Sequence, residues 1–338
     1  QAGGYGERQI EELLQNAIDQ LTSPGQVELR LIDGALYCAN EGTPFGAEGI
    51  RAVTGAFLSS KKDEKIGRFG LGFKSVLGVT DRPQILSRTV SFGFNESEAG
   101  RLLADLPHNH DRVPTLRVPS VLDAVAIAES DPHVAQMQEW ASTIVKLPLV
   151  RGGDRLRKRL QAFDIRYLLF PENLARVDIV LAGGDGAPVR RTFQRRDGSH
   201  DGSVQLVAPD GSETEWRLLR RDHEVSHAVS SELPGLFHRD RGTVSYALEQ
   251  GKTGIGEFWA WFPLLDQTTA SGIFNAPWQV NDDRTSLLPG SALNRELLEV
   301  AAELLIDAAL LESTPADPAK HFDVLPARGR ETRSAADR

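Results

Sequence analysis

A helical segment near the start of the chain limits the possible folds more than any other feature of the sequence. From residue 10 onward, apolar side chains recur at intervals of three and four, which is the spacing of one helix face. Glu12, Asn16 and Asp19 fall together on the other side. The segment therefore predicts an amphipathic helix that packs on a core and has one narrow polar edge. Its apolar residues are Ile10, Leu13, Leu14, Ala17, Ile18 and Leu21.

The polar edge of this helix has two interpretations. A carboxylate can deprotonate a water molecule and an amide oxygen can bind a hard cation such as Mg²⁺, so the edge suits hydrolytic chemistry. Most helices with such an edge simply expose it to solvent. The helix alone does not decide between the two.

A glycine-rich segment lies further along the chain. Gly67, Gly70 and Gly72 have the spacing GxxGxG and are followed by a run that includes Lys74. Glycines let backbone N–H groups approach a ligand, and a helix that starts there adds its positive end, so the segment predicts a polyphosphate site. Lys74 can add a full positive charge. A dinucleotide-binding loop is not supported, because the polar stretch 59–65 stands where such a loop needs a hydrophobic strand.

Four motifs follow one another across this region. Two strand-like runs flank Asp33 and Gly34, a pair typical of a tight hairpin turn, and connect the first two motifs. The motifs are ELLQNA at 12–17, NEGTPF at 40–45, SSK at 59–61 and IGRFGLGFKSV at 66–76, with TDRPQILS at 80–87 after them. In this order they resemble the GHKL superfamily, which includes gyrase, the ninety-kilodalton heat-shock chaperones, histidine kinases and the mismatch-repair protein MutL. The sacsin-like branch is the most similar.

The resemblance implies a fold class and a domain order. It implies an α/β chain in which residues 1–150 form a Bergerat ATP-binding domain, an α+β two-layer sandwich. Residues 151–312 are then expected to form a second, transducer-like α/β domain. The alternating strand signals there and a helix predicted from Asn294 to Leu311 agree with it. The polar, proline-rich residues 313–338 predict a linker or disordered tail. Because the chain begins without methionine, we expect further domains of a longer protein.

Residue roles also follow from the resemblance. Glu12 is implied to be the general base that activates water, and Asn16 the ligand of Mg²⁺. Asp19 is implied to contact the nucleotide or to orient the helix. ATP and Mg²⁺ are thus the implied cofactors. The implied cofactor-binding residues are Asn16, Asp19, Asn40, Gly42, Lys61, Gly67, Arg68, Phe69, Gly70, Leu71, Gly72, Phe73, Lys74 and Thr143.

Asn40 and Ser142 depart from the family pattern. Asn40 stands where the family has the aspartate that binds adenine, and an amide offers one oxygen and one NH₂ group instead of two acceptor oxygens. ATP is therefore expected, with another purine nucleotide as the alternative. Ser142 replaces the usual glycine of the run STIVKLPL at 142–149. In that run Thr143 is implied to face the nucleotide, although a β-branched residue is also ordinary in a strand.

A second catalytic residue is implied in the later part of the chain. Some GHKL members extend a basic residue from the second domain to the γ-phosphate. The run IFNAPWQVNDDRTSL at 273–287 resembles a sacsin-like element that ends in an arginine, which makes Arg284 the candidate. The alternative is a structural ion pair between Arg284 and the neighbouring Asp282 or Asp283.

One rival motif suggests a different chemistry. His223, Glu224 and His227 have the H-E-x-x-H spacing that, on a helix, aims two imidazoles at a zinc ion in metallopeptidases. A third ligand is not evident, and the segment is short and weakly apolar. The sequence favours chance occurrence, with a zinc metallopeptidase as a remote alternative.

Composition excludes several other classes. The net charge of −9 argues against broad electrostatic binding of nucleic acid, and the basic run that includes Arg159 predicts a solvated helix face. The lone Cys38 excludes a disulfide framework and is expected in the core. No signal peptide is evident and no apolar run approaches the roughly 20 residues that span a bilayer, so we expect no membrane partner and a cytoplasmic location.

Together these features predict a Mg²⁺-dependent ATP-binding module. We expect a slow ATPase whose nucleotide state changes the shape of a larger chaperone-like or defence-associated protein. The alternative is a sensor or scaffold that binds nucleotide without hydrolysing it. A nucleotide-dependent homodimer is common among the proteins that the chain resembles, and the sequence does not identify a client or partner protein.

Overall fold

The computed structural model describes residues 8–54, 72–104, 115–184, 186–233, 239–281 and 283–327. The α-helices are α1 Gln9–Ile18, α2 Ala47–Thr54, α3 Glu96–Leu103, α4 Ala124–Ser130, α5 Pro132–Gln138, α6 Gly153–Gln161, α7 His227–Glu232 and α8 Ala292–Glu312. The strands are β1 Gly25–Ile32, β2 Ala35–Asn40, β3 Gln84–Ser87, β4 Ser91–Gly93, β5 Ser120–Val121, β6 Thr143–Pro148, β7 Leu174–Ala182, β8 Pro188–Asp197, β9 Ser203–Val207, β10 Glu213–Glu224, β11 Arg241–Glu249, β12 Gly256–Ala260, β13 Phe262–Thr268 and β14 Ile273–Asn275. Short 3₁₀ helices are Gly72–Gly78, Thr115–Arg117, Ile165–Leu168 and Lys320–Asp323.

The described chain divides into two compact units. The N-terminal unit holds the described residues up to 164 together with 171–194, and the C-terminal unit holds 165–170 and the described residues from 195 onward. Each unit combines helices with parallel and antiparallel strand pairs, which confirms the α/β class. The predicted domain division after residue 150 stays a prediction. Residues 171–194 pack in the N-terminal unit because β7 pairs in parallel with β1.

The sheet of the N-terminal unit has the strand order β8–β7–β1–β2–β6–β3–β4–β5. Its pairs are antiparallel except for that of β1 with β7. β1 and β2 form the predicted hairpin, in which Asp33 and Gly34 have φ angles of 49° and 72°. Positive φ at both central residues is the type I′ turn, whose twist matches that of the two strands. The hairpin prediction is therefore confirmed.

Different helices cover the two faces of this sheet. Cys38 of β2 faces α1, because its thiol lies 3.6 Å from the carbonyl oxygen of Leu13. Directly paired residues share a face, so Val145 on β6 and Ile85 on β3 face the same way as Cys38. Both contact a cluster that includes side chains of α2 and of the 3₁₀ helix Gly72–Gly78. We call this side the α1 face; the opposite side packs on α5.

Cys38 lies in the core, as predicted. Its side chain is buried against α1, and burial raises the pKa of the thiol to about 12. A thiol with so high a pKa stays protonated at neutral pH, and only the thiolate is nucleophilic or binds metals strongly. Cys38 is therefore a packing residue.

Asp131 joins α5 to the face of the sheet opposite α1. One carboxylate oxygen accepts the backbone N–H groups of His133 and Val134, at 2.9 and 3.2 Å, and so caps α5. The other oxygen accepts the Tyr37 hydroxyl and the Lys146 ammonium group, both at 2.8 Å. Burial alone would raise the pKa of Asp131, but the hydrogen bonds from Lys146 and Tyr37 outweigh it and hold the pKa below its usual value.

The C-terminal unit contains a set of strands covered by a long helix. Its strand order is β9–β10–β11–β14–β12–β13, and only β12 with β14 is parallel among these described pairs. Leu297 of α8 packs in one core cluster with Val244 and Tyr246 of β11. The helix predicted from residue 294 to residue 311 is thus confirmed. In the described ranges, no helix combines the length and the apolar character that crossing a bilayer requires.

Part of the predicted tail is folded. Val324 is buried, and its carbonyl oxygen accepts the Ser271 N–H at 3.1 Å. Lys320 forms an ion pair of 2.8 Å with Glu312, the last residue of α8. Residues 313–327 therefore pack on the C-terminal unit rather than forming a free linker, because a few apolar side chains reach its core. Residues 328–338 lie outside the described residues.

Candidate functional site

The polar edge of α1 is buried. Glu12 is only 5% exposed, and Asn16 and Asp19 are half-buried. The other buried polar side chains of this helix are Gln9, Glu11 and Gln15. The solvent-exposed interpretation of Glu12 is therefore wrong, since α1 is enclosed on its polar side as well as on its apolar side. Asp19 lies directly after the last helical residue, as the C-cap.

This edge faces the segment that follows the glycine-rich motif. The side-chain NH₂ group of Gln9 donates to the carbonyl oxygen of Ser75, at 3.2 Å, in the 3₁₀ helix Gly72–Gly78. Glu12 and Asn16 follow Gln9 at three and seven positions along α1, which puts them on the same side one and two turns further on. Two elements that the sequence singled out independently are thus in contact.

Glu11 has a structural partner. Arg159 of α6 forms an ion pair with its carboxylate. Burial raises the pKa of Glu11, and the charge of Arg159 opposes that rise. Arg151, Arg155 and Lys158 are exposed as predicted, whereas Arg159 turns inward to cover the start of α1.

Three polar side chains form a row across the α1 face. Asn40 at the end of β2 pairs with Thr143 at the start of β6, and Thr143 pairs with Ser87 at the end of β3. Asn40 is two residues beyond Cys38 and so shares its face. Asn40 and Thr143 are buried, at 4% and 3% exposure. The structure therefore brings together two predicted nucleotide contacts that are more than a hundred residues apart in the sequence.

Ser87 was not assigned a role from the sequence. Its hydroxyl accepts the Phe45 N–H at 2.9 Å and lies 3.1 Å from the Ser142 carbonyl oxygen and 3.0 Å from the Thr143 hydroxyl. Either hydroxyl of the Ser87–Thr143 pair can donate to the other, because the Ser142 carbonyl oxygen also accepts the Arg88 N–H, at 3.1 Å. The signal for Ser87 was its place as the last residue of TDRPQILS, a motif that the sequence analysis used only for the resemblance.

Gly42 and Asn40 are linked at the end of β2. The Gly42 N–H donates to the side-chain oxygen of Asn40 at 3.0 Å. A Cβ atom at Gly42 would lie 2.4 Å from backbone atoms of Gln20, which follows α1. Glycine is thus required here by close packing of two chain segments, independently of any ligand.

Much of the predicted phosphate loop is not described. Lys61, Gly67, Arg68, Phe69, Gly70 and Leu71 lie outside the described residues. The helix expected after the glycines is a 3₁₀ helix of seven residues that begins at Gly72. Phe73 packs in the apolar cluster of the α1 face, which gives it a packing role, and Lys74 is half-buried.

Arg284 lies in the C-terminal unit at a strained position. Its φ angle is 54°, in the left-handed region that costs a residue with a side chain about 1–2 kcal/mol. Asn281 stabilises this turn. Its backbone oxygen accepts the Arg284 N–H at 2.9 Å. Its side-chain oxygen accepts the backbone N–H groups of Thr285 and Ser286. Strain of this kind is retained where the surrounding structure enforces it, often at functional positions.

The strain at Arg284 predicts a difference between two substitutions. Arg284→Gly should give a free energy of unfolding about 1 kcal/mol higher than Arg284→Ala, because glycine adopts positive φ without a steric penalty while alanine does not. Both variants lack the guanidinium group, so the comparison isolates the backbone. Urea denaturation of both proteins measures the difference. Equal stabilities would mean that the turn is not strained.

The H-E-x-x-H motif does not lie on one helix. His223 and Glu224 end the strand β10, whereas His227 begins α7. The His223 Nε2 atom lies 3.0 Å from a carboxylate oxygen of Glu296, and Glu224 pairs with Arg241 at 3.0 Å. Among the residues that the structure describes, no group of three or more potential ligands could hold a metal ion. The zinc-peptidase alternative therefore loses its geometric basis.

Comparison with known proteins gives one partial similarity. No protein-family model matches the chain. A stretch of 111 residues is 39% identical to Protein NO VEIN of Arabidopsis thaliana. The similarity covers 30% of this chain and 4% of that protein, so the chain corresponds to a small part of its relative's length. This similarity does not assign the chain to the GHKL superfamily.

Proposed function

We propose that the N-terminal unit binds a purine nucleoside triphosphate with Mg²⁺ and hydrolyses it slowly, as the resemblance to GHKL ATPases implies for ATP. One observation carries the proposal. The buried polar edge of α1, the polar row of Asn40, Thr143 and Ser87, and the 3₁₀ helix after the glycine-rich motif all belong to the α1 face of one sheet. Binding sites for polar ligands combine a few convergent polar groups on one surface, and this concentration on one face favours such a site.

The residues of α1 suit the chemistry of Mg²⁺ and water. Mg²⁺ prefers oxygen ligands and is usually bound through one or two protein groups plus substrate phosphates. The half-buried Asn16 supplies an amide oxygen, and Glu12, one turn away, supplies a carboxylate. Bound Mg²⁺ would neutralise phosphate charge. Asn16 would hold the ion, and Glu12 would take the proton of the attacking water as general base.

The finer architecture belongs to the same proposal. We infer a Bergerat-type two-layer sandwich for the N-terminal unit and a transducer-like role for the C-terminal unit. The helices α1 and α2 on one face of the mixed sheet are what such a sandwich requires, and α5 on the other face would be an addition to it. Arg284 is proposed as the second catalytic residue. Its enforced left-handed backbone supports a functional role for this turn.

A non-hydrolysing nucleotide sensor is the second candidate. The observation that favours it is Asn40, an amide in place of the acceptor-only aspartate that the family resemblance implies. The two candidates share the binding site and differ only in turnover. We further propose a cytoplasmic protein in which this module belongs to a longer chaperone-like or defence-associated chain and forms a homodimer when nucleotide is bound.

Metal-dependent binding tests the proposed function. Asn16→Ala should weaken nucleoside triphosphate binding in Mg²⁺ at least about tenfold, because even groups that only orient metal ligands are worth about 10–100-fold in metal affinity. The variant should bind the nucleotide equally weakly with and without Mg²⁺. The unmodified chain should bind it more tightly with Mg²⁺ than without. Isothermal calorimetry with and without EDTA measures both.

Asn95→Ala is the matched control for Asn16→Ala. Asn95 is an exposed asparagine that caps α3 through the Glu98 N–H, so the change removes an equal side chain that is not part of the proposed site. Its nucleotide affinity should stay unchanged. If Asn16→Ala binds as tightly as the unmodified chain and keeps the Mg²⁺ response, Asn16 is not the metal ligand and the proposed site is wrong.

A further inference from the structure

We propose that a cavity between α6 and the β7–β8 hairpin binds a small phosphate monoester with an apolar body. The cavity lies in the N-terminal unit, is open to solvent and has a volume of about 460 Å³, which is within the usual range for small-molecule sites. Its described lining contains none of the residues proposed to contact the nucleotide. The lining includes Arg157 and Gln161 of α6, Leu181 and Ala182 of β7, and Val189 and Arg191 of β8.

Backbone oxygens orient the two arginines of this cavity. The Nη1 group of Arg157 donates to the Ala182 carbonyl oxygen at 2.9 Å, which ties α6 to β7. The Nη1 group of Arg191 donates to the Gln161 carbonyl oxygen at 2.7 Å, at the end of α6. The Arg191 guanidinium group also lies 5.2 Å from the centre of the Phe193 ring. Both guanidinium groups are thus positioned by contacts that supply no full negative charge.

Neither guanidinium group has a counter-ion in the described part of the chain. No carboxylate there forms an ion pair with Arg157 or Arg191, whereas Arg159 of the same helix pairs with Glu11. The negative end of the α6 dipole is equivalent to about half a charge, so it offsets only part of two full charges. Both arginines are half-buried, where charges interact more strongly than in bulk water. The cavity therefore carries excess positive charge in a chain whose net charge is −9.

The hydrogen-bonding groups left on these arginines favour one class of anion. Both side chains use Nη1 for a backbone oxygen, which leaves the edge formed by Nε and Nη2. This edge carries two parallel N–H groups that match two oxygens of a carboxylate or a phosphate. A carboxylate supplies one charge and two oxygens, whereas a phosphate monoester supplies a charge of about −1.5 to −2 and three terminal oxygens. Charge complementarity with two arginines therefore favours the phosphate monoester.

Apolar side chains on the cavity wall indicate the rest of the ligand. Leu181 is buried, and Val189, which pairs directly with it on β8, is 52% exposed. An apolar group of the ligand that covers Val189 removes this surface from water, which is favourable. The ligand class is thus a phosphate on a compact apolar or aromatic group, and phenyl phosphate is a simple probe for it.

Isothermal calorimetry of the full chain with phenyl phosphate in EDTA tests this inference. EDTA removes Mg²⁺, so the result does not depend on the metal site proposed for the nucleotide. We expect one molecule bound per chain, with weaker binding of benzoate, which lacks the phosphate, and of inorganic phosphate, which lacks the ring. Arg157→Gln and Arg191→Gln should each weaken phenyl phosphate binding by about 10- to 100-fold, the usual contribution of hydrogen bonds to charged groups.

Val189→Glu tests the site without removing either arginine. The side chain is exposed, so the fold should be retained, and a carboxylate on the cavity wall should prevent binding by repelling the phosphate. Lys158→Gln is the matched control, because Lys158 is an exposed cation of α6 outside the cavity lining. Its affinity for phenyl phosphate should stay within about twofold of that of the unmodified chain, since salt screens exposed charges.

Two results would overturn the inference: no binding of phenyl phosphate by the unmodified chain, or an affinity that Arg157→Gln and Val189→Glu leave unchanged. Benzoate binding as tight as that of phenyl phosphate would overturn the assignment of a phosphate. Asn16→Ala should bind phenyl phosphate as the unmodified chain does, because Asn16 belongs to the proposed nucleotide site. Nucleotide and phenyl phosphate binding are therefore lost in different variants, and either proposal can fail without the other.

Discussion

Glu12→Gln should lower nucleoside triphosphate hydrolysis by about 10²–10⁴-fold, which is the usual contribution of a positioned general base. Glutamine keeps the shape and polarity of the buried side chain but cannot accept the proton of water. Nucleotide affinity should stay close to that of the unmodified chain, because the base acts on water and not on the ground-state nucleotide. Steady-state phosphate release and equilibrium binding measure the two quantities separately.

Glu41→Gln is the control for this experiment. Glu41 is an exposed carboxylate at the end of β2 that accepts the Gln26 N–H at 2.9 Å, and a glutamine oxygen can do the same. Its turnover should not change. If Glu12→Gln hydrolyses the nucleotide at the rate of the unmodified chain, Glu12 is not the general base. Nucleotide binding without measurable turnover by the unmodified chain would favour the sensor.

Asp131→Ala should lower the free energy of unfolding by about 3 kcal/mol. The helix cap contributes about 1 kcal/mol, and buried hydrogen bonds to a charged group contribute about 1.5–3 kcal/mol. The difference in free energy of unfolding between the unmodified chain and Asp131→Ala should become smaller as the pH falls below about 4. The folded state lowers the pKa of Asp131, so its contribution is complete above the unfolded pKa and disappears as the carboxylate is protonated in the folded chain.

Asp123→Ala separates the cap from the rest of this effect. Asp123 is exposed and caps α4 through the N–H groups of Val125 and Ala126, and the described part of the chain gives it no sheet partners comparable to Tyr37 and Lys146. Asp123→Ala should lower the free energy of unfolding by about 1 kcal/mol. Equal losses for Asp123→Ala and Asp131→Ala in urea denaturation at pH 7 would show that the bonds of Asp131 to the sheet add no stability.

Local sequence signals predicted the elements whose structure is decided locally. Asp33 and Gly34 form the expected turn because both adopt positive φ, and α8 appears within two residues of its predicted ends. For the H-E-x-x-H segment the sequence favoured chance occurrence over a zinc site. Its spacing fits a helix, but pairing with β11 holds His223 and Glu224 in a strand.

Features that depend on distant partners could not be derived from the sequence. Glu12 looked like part of an exposed edge because the elements that enclose α1 include α6, whose Arg159 is 148 residues from Glu11. The parallel pairing of β7 with β1 likewise has no local signal. At the candidate site, the resemblance selected Asn40 and Thr143, whereas their adjacency and the contribution of Ser87 follow from strand register.

A crystal structure of the chain with Mg²⁺ and a non-hydrolysable purine nucleoside triphosphate would test the shared site on the α1 face most directly. We expect the base against Asn40 and Thr143, Mg²⁺ bound by Asn16, and the Glu12 carboxylate about 3 Å from a water molecule beside the γ-phosphate. A nucleotide bound away from this face, or a Glu12 carboxylate turned away from the triphosphate, would contradict the proposed site.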